Sequence, residues 1–324
     1  MRKSHKPQAR ATVLGSFLIF VLGACSNQAE GNASSEGDDD PQSGDTGAEA
    51  VYAPCPSEAR LGSVRVEVAD GFTAIVGLIM DSVMPSNVEV VVAESGSCRL
   101  LTKNNYFCDP PCITNEVCGT DGSCVPAPQS LTFGDVAING MHVAGTLELN
   151  NGWYQYPGTL PHPAFAEGDL LQLVATGGHY EPFRLDGRGL DRVAVTSTQV
   201  VLSRGDPIPL RWTAGDGTAT MRIHLDINLH GSTWNWIECV APDSGTFEIP
   251  ADIAAQLMDA GVSGYPTLLL TRRSVDSTII GPGCVEFEVK GEFSLPVTIP
   301  GLTSCSTDDD CPEGQTCQPD LTCG

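Results

Sequence analysis

Two stretches carry side chains whose types and spacing could do chemistry. From Met221 to His230, the apolar residues Met221, Ile223, Leu225, Ile227 and Leu229 alternate with Arg222, His224, Asp226, Asn228 and His230. A period of two is the signature of a β-strand, so the polar set shares one face. A His–Asp–His row on that face could hold a divalent metal. Residues two apart on a strand sit about 6–7 Å apart at Cα, whereas zinc wants ligand atoms about 2.0–2.2 Å away. His224 and His230 are too distant to share an ion without a bulge. The candidate metal pair is therefore His224 and Asp226, completed by a neighbouring strand; without such a partner the row is an ordinary solvated face. The second stretch is aromatic. Trp234 and Trp236 share one face of the next predicted strand, and Trp153, Tyr154 and Tyr156 follow a turn. Aromatic faces of this kind can stack on sugar rings, which makes Trp234 and Trp236 candidate ligand-binding residues; in a core they would simply pack.

The chain has no G-x-S-x-G, H-E-x-x-H, G-x-G-x-x-G or phosphate-loop motif. The expectation is a non-enzymatic protein without a cofactor. The cysteines point the same way. Thirteen are present. Setting Cys25 aside leaves an even set: Cys55, Cys98, Cys108, Cys112, Cys118, Cys124, Cys239, Cys284, Cys305, Cys311, Cys317 and Cys323. No C-x-x-C occurs among them, so disulfides fit better than a metal site. Cys55 and Cys98 bracket a small predicted β unit and are expected to pair with each other. Cys239 and Cys284 are expected to bridge two sheets, or a strand to a loop. Cys108–Cys124 and Cys305–Cys323 form an internal repeat in which the last three cysteines are spaced x5, x5 in both copies. Each copy should be a two-bridge knot. The spacing resembles EGF-like and related small Cys-rich modules, at reduced size. Leu302-Thr303-Ser304 lacks the acidic calcium motif that such modules place before the first cysteine, so calcium is not carried over.

The N-terminus explains the oxidised cysteines. Arg2, Lys3, Lys6 and Arg10 precede an apolar run from Ala11 to Ala24, 14 residues long. A membrane-spanning helix needs about 20, so a cleaved signal fits better. Leu22-Gly23-Ala24-Cys25 resembles the bacterial lipobox. The resemblance implies that Cys25 becomes the first mature residue and carries lipid. Ser26 after it implies sorting to the outer membrane in that family. The membrane is thus the expected partner, reached through the N-terminal lipid.

The formal net charge is −23, and the lysines beyond residue 25 are Lys103 and Lys290. Such a surface repels phosphate backbones, which excludes nucleic acid as an expected partner. Residues 26–53 are acidic and nearly free of large apolar side chains, the composition of a disordered tether. Beyond it, turn residues punctuate many short alternating runs. Asp70-Gly71, Asn139-Gly140, Asn151-Gly152 and Asp216-Gly217 each separate strand-like segments. One helix is predicted, with Pro250 at its first turn, Ile253 and Leu257 on one face and Gly261 at its end. The predicted fold is all-β: tandem β-sandwich-like modules, two small disulfide knots and one short helix. The expected order is signal 1–24, tether 25–53, small β unit 54–104, knot 105–126, β-sandwich modules 127–206 and 207–300, and a second knot 301–324.

SCRLL at 97–101, CDPPC at 108–112, AFAEGDLLQLVATGG at 164–178 and CVAPDSGTFEIP at 239–250, with the C-terminal Cys module, resemble the Cys-rich surface lipoproteins abundant in myxobacteria. That resemblance implies export and an all-β fold and brings no activity with it. The leading expectation is a lipid-anchored envelope scaffold for adhesion or for binding proteins or polysaccharide. A hydrolase or its accessory subunit, with a site built from loops of the second sandwich, and a purely structural spacer are the alternatives.

Overall fold

A computed structural model describes residues 51–103, 107–228 and 234–324. The signal segment, Cys25, the tether up to residue 50 and His230 lie outside the described residues. In chain order the strands begin with β1 (Arg60–Val68), β2 (Thr73–Ile79), β3 (Glu89–Ser95), β4 (Cys98–Lys103), β5 (Glu116–Cys118) and β6 (Cys124–Pro126). Then come β7 (Val136–Asn139), β8 (Gly145–Asn150), β9 (Trp153–Gln155), β10 (Leu170–Ala175), β11 (Phe183–Arg188) and β12 (Val200–Val201). The last third holds β13 (Ile208–Arg211), β14 (Thr220–Asp226), β15 (Asn235–Pro242), β16 (Thr246–Ile249), β17 (Thr267–Ile280) and β18 (Gly283–Thr298). The helix α1 (Ala251–Asp259) follows β16. Pro250 opens it, Ile253, Ala254 and Leu257 are its buried residues, and Gly261 at φ 106° follows its end.

Among the described residues, one 14-stranded sheet dominates, in the order β11-β10-β7-β8-β9-β2-β1-β18-β17-β14-β15-β4-β3, with β12 beside β18. β13 with β16, and β5 with β6, form separate ribbons. The sheet is mixed, because β1 runs parallel to β18 while β1–β2, β17–β18 and β14–β17 are antiparallel. Asn151-Gly152 makes the tight β8–β9 turn with both residues at positive φ, 49° and 83°, as the two-residue hairpin requires. Asn139-Gly140 does not: Gly140 has φ 91°, but the next strand starts at Gly145, so the connection is longer.

Two hydrophobic cores underlie the sheet. The first gathers Val64, Val66, Ile138, Leu171, Leu173, Phe287 and Val289 among others. The second gathers Leu100, Ile208, Leu210, Met221, Ile223, Leu225, Ile237, Leu257 and Leu270. The long β17–β18 hairpin serves both. These two cores are the sandwich-like modules, but they do not follow chain order. The small β unit expected at 54–104 is not self-contained, since β1 and β2 belong to the first core and β4 to the second. The division expected near residue 206 does not separate two sheets, since β1 and β2 before it and β14, β17 and β18 after it share one continuous sheet, and the described residues belong to a single compact unit, Thr46–Gly324.

The disulfides follow the same logic. Cys55 bonds Cys284 and Cys98 bonds Cys239, in place of the expected Cys55–Cys98 and Cys239–Cys284 pairs. Strand neighbours explain the correction. β1 lies beside β18, and β4 lies beside β15 with Cys98 and Cys239 as register partners. The knots are local and share one connectivity, first to third and second to fourth. Cys108–Cys118 and Cys112–Cys124 close one; Cys305–Cys317 and Cys311–Cys323 close the other.

Candidate functional site

Strand alternation on the long hairpin sets up the site. Arg272 and Arg273 are neighbours on β17, so they leave opposite faces of the sheet. Arg272 points inward and is almost wholly buried. Its Nε donates to Asp243 Oδ2 at 2.6 Å, and its Nη2 donates to the Thr213 carbonyl at 2.6 Å. Asp243 also accepts from Trp212 Nε1 at 2.6 Å and from the Gly215 amide at 3.1 Å. A Cβ on Gly215 would stand 2.6 Å from Asp243 Oδ2, so only glycine fits there. Arg273 points the other way, towards a concave face.

That face is lined by β1, β18, β17, β14, β15, β4 and β3, and it encloses a cavity of about 750 Å³. In the sheet, β1 and β3 are separated by five strands. They line the same cavity because the sheet curls around it, and the Glu89 amide donates to Ser57 Oγ at 3.1 Å to tie β3 to the segment before β1. A smaller cavity of about 270 Å³ adjoins it.

The lining is charged. Arg60, Arg65, Arg99, Arg222 and Arg273 alternate with Glu58, Glu89, Glu238, Glu286 and Glu288. Five of the 17 Lys and Arg in an otherwise acidic chain thus meet in one place. Glu238 bridges two of them, contacting Arg222 Nη2 at 2.6 Å and Arg99 Nη2 at 3.2 Å. Arg60 Nε lies 3.1 Å from Glu286, and Arg273 Nη1 lies 3.6 Å from Glu288. Arg273 also donates to the Tyr52 hydroxyl at 3.2 Å and stacks over its ring. Burial works to raise the pKa of Glu238, but Arg222, Arg273 and Arg99 outweigh it and hold the carboxyl below its ordinary value. Burial wins at Glu286, which is raised despite Arg60 and the Cys55 amide. It wins also at Glu89, where nearby Glu238 adds to the rise.

Glu58, exposed at the rim, has no ion pair among the described residues, and two half-buried groups also stand outside this pairing. Among the described residues, Arg65 and the Glu89 carboxylate make neither an ion pair nor a side-chain hydrogen bond. Both line both cavities, as do Ser57, Arg60 and Ser63, so both sit where the two spaces meet.

The residues singled out from sequence lie beside this cavity or away from it. His224 shares the cavity-bearing face of β14 with Arg222, and its register partner on β15 is Glu238. Its ring packs on Trp236 with centroids 5.9 Å apart, and Lys103 Nζ lies 6.0 Å from the Trp236 ring. Burial, then Arg222 and Lys103, push its pKa from 6.5 down to about 4 against the opposing pull of Glu238. Asp226 ends the strand by accepting the Asn228 amide at 2.7 Å. Among the described residues, no third potential ligand joins His224 and Asp226; the groups of three or more are knot cysteines, which are disulfide-bonded. Trp234 and Trp236 do not form one platform. Trp234 is 50% exposed just before β15 begins, while Trp236 is 7% exposed beneath Lys103 and His224. Cavity arginines such as Arg65 and Arg273 escaped the sequence reading. Their one signal was alternation, as in Arg65 and Glu67 between Val64, Val66 and Val68, and a solvated face gives the same pattern.

No family model matches the chain, and no curated protein matches it.

The depressed His224 pKa has a consequence for stability. Between pH 6.5 and about 4 the unfolded chain binds a proton at His224 that the folded chain does not. Stability therefore falls as pH drops through that window, by about 2–3 kcal/mol at about pH 4.5. His224→Gln should remove this share of the decline. Urea melts of both proteins at about pH 7 and pH 4.5 measure it, and parallel declines would show that the ring is not held neutral.

Proposed function

We propose that the chain is a non-enzymatic, lipid-anchored protein of the cell envelope that binds a ligand in the cavity of its curled sheet. The cavity carries the binding half of this reading. Its volume falls in the range of about 300–1,000 Å³ usual for small-ligand sites, and mouths of curled or closed sheets are frequent places for them. Most of its charges hold one another in place, so a ligand would meet preorganised groups and lose little in ordering them. The anchoring half rests on the leader and Cys25. Two or more acyl chains give stable attachment, since each buried methylene contributes about 0.8 kcal/mol. Six disulfides suit an oxidising compartment.

Each half has its own test. Metabolic labelling with palmitate should tag the full-length chain and not Cys25→Ala; equal labelling sinks the anchor. Native mass spectrometry of protein purified from its envelope should show a bound small molecule that is lost in Ser63→Trp, a variant that fills the junction of the two cavities. The thermal melt of Ser63→Trp checks that the fold is intact. No bound mass in either protein, or the same mass in both, sinks the cavity as a site.

A further inference from the structure

We infer that the cavity takes a zwitterionic ligand of the amino-acid or short-peptide class, with its carboxylate against Arg65 and its amine against Glu89. This rests on the binding reading above and adds the class of ligand to it.

The argument starts from which charges are already satisfied. Of the five arginines in the lining, Arg60, Arg99, Arg222 and Arg273 each have a glutamate within 4 Å. Glu238, Glu286 and Glu288 are their partners, and Glu58 accepts from Ser57 Oγ at 3.4 Å. One cation, Arg65, and two anions, Glu58 and Glu89, have no ion pair among the described residues; Glu58 is exposed to water, which leaves Arg65 and Glu89 as the half-buried pair. Both line the junction of the 750 Å³ and 270 Å³ cavities. Their strands lie on opposite sides of the curl, and they do not pair with each other. Arg222, Arg60 and Arg99 reach Glu89 only at longer range and do not offset its burial. A charge partly withdrawn from water without a direct ion-pair partner is costly, so two such groups at one junction favour a ligand that supplies both signs. Arg65 offers the planar fork that a carboxylate engages bidentately. Glu89 offers the acceptor that a protonated amine requires.

Net charge separates this ligand from its competitors. The lining carries five arginines and five glutamates, and is formally neutral. A phosphate dianion would leave the site negative within a chain of net charge −23, whose field repels anions. A simple amine would leave Arg65 unmatched. A neutral zwitterion satisfies both groups and crosses the field without penalty. The cavity has room for a dipeptide but is too small for a folded partner.

Isothermal titration of the oxidised full-length chain in detergent tests this. The probes are a set of dipeptides with small, apolar and acidic side chains, their N-acetyl and C-amide forms, and inorganic phosphate. At least one free dipeptide should bind. C-terminal amidation should weaken it about tenfold or more against the wild type, and not at all against Arg65→Gln. N-acetylation should weaken it similarly against the wild type, and not at all against Glu89→Gln. Arg65→Lys should recover part of the binding lost in Arg65→Gln, which separates a ligand contact from a folding defect. Blocked peptides binding as well as free ones, or phosphate binding in an Arg65-dependent way with no peptide bound, would overturn the zwitterion and leave the cavity standing as a site. So would silence from every dipeptide while the envelope ligand lost in Ser63→Trp persists. Silence from every probe with no envelope ligand overturns both readings.

Discussion

Asp243→Ala should lower the stability of the folded chain by about 4 kcal/mol, the scale of breaking a buried ion pair by removing one partner. The carboxylate is fully buried, and the Arg272 side chain beside it is 5% exposed. Truncation strands three donors at once: the guanidinium, the Trp212 indole N–H and the Gly215 amide. No water-filled route is needed for the loss, because the charge of Arg272 has nowhere else to go. Its remaining bonds, to the carbonyls of Thr213, Asp191 and Arg192, orient the guanidinium without neutralising it. Asp243→Asn should cost less, about 2–3 kcal/mol, since it keeps an acceptor for Trp212 while removing the charge. Guanidinium unfolding followed by tryptophan fluorescence reads both. Equal stability of Asp243→Ala and wild type would mean that this network does not hold the β13, β15 and β17 segments together.

Removing the Cys55–Cys284 bridge should have an effect of similar size by a different route. The bond spans 229 residues, and cross-linking a loop of that length restricts the unfolded chain by about 5 kcal/mol in the chain-entropy model, an upper figure for a real protein. The paired substitution Cys55→Ala with Cys284→Ala should lower the main unfolding transition by several kcal/mol. Cys108→Ala with Cys118→Ala removes a bridge that closes a gap of only 10 residues in a local knot, and should leave that transition nearly unmoved. The same bridge fixes the rim of the cavity. The Cys55 amide donates to Glu286 at 2.7 Å, and the Cys55 carbonyl accepts from Arg60 at 3.1 Å. Its loss should therefore weaken ligand binding even where the protein stays folded. Equal shifts from the two paired substitutions would show that the long bridge is no more than a local clip.

Local features of the fold were legible because they depend on near neighbours. The helix at Ala251–Asp259 followed from Pro250, the Ile253–Leu257 face and Gly261. The β8–β9 hairpin followed from Asn151-Gly152, where both turn residues must take positive φ. The two knots followed from cysteines crowded within 20 residues, and their common connectivity fits the repeat. The long β17–β18 hairpin was only partly legible. Alternation predicts strands over Thr267–Arg272 and Val285–Val289, but β17 continues through Ser274, Val275 and Asp276, where a polar residue is buried on the core side. Ser274 Oγ and Asp276 Oδ2 accept the amides of Arg188 and Asp186 on β11, so their burial is satisfied by a strand nearly 90 residues away. No window of local sequence contains that partner.

Periodicity, turn stereochemistry and cysteine count, each read within a short span, settle the all-β class, the helix after Pro250, the oxidised cysteines and the two knots. Tertiary structure alone decided which strands became neighbours. Alternation says that Arg65, Arg99, Arg222 and Arg273 face away from a core, but it cannot say that the sheet curls until those faces meet around one cavity. The parallel pairing of β1 with β18 decides the Cys55–Cys284 bridge, and the β4–β15 pairing decides Cys98–Cys239. The physical reason is the same in each case. A strand's side chains are set by residues two apart, while its partner is chosen by the burial of both cores together.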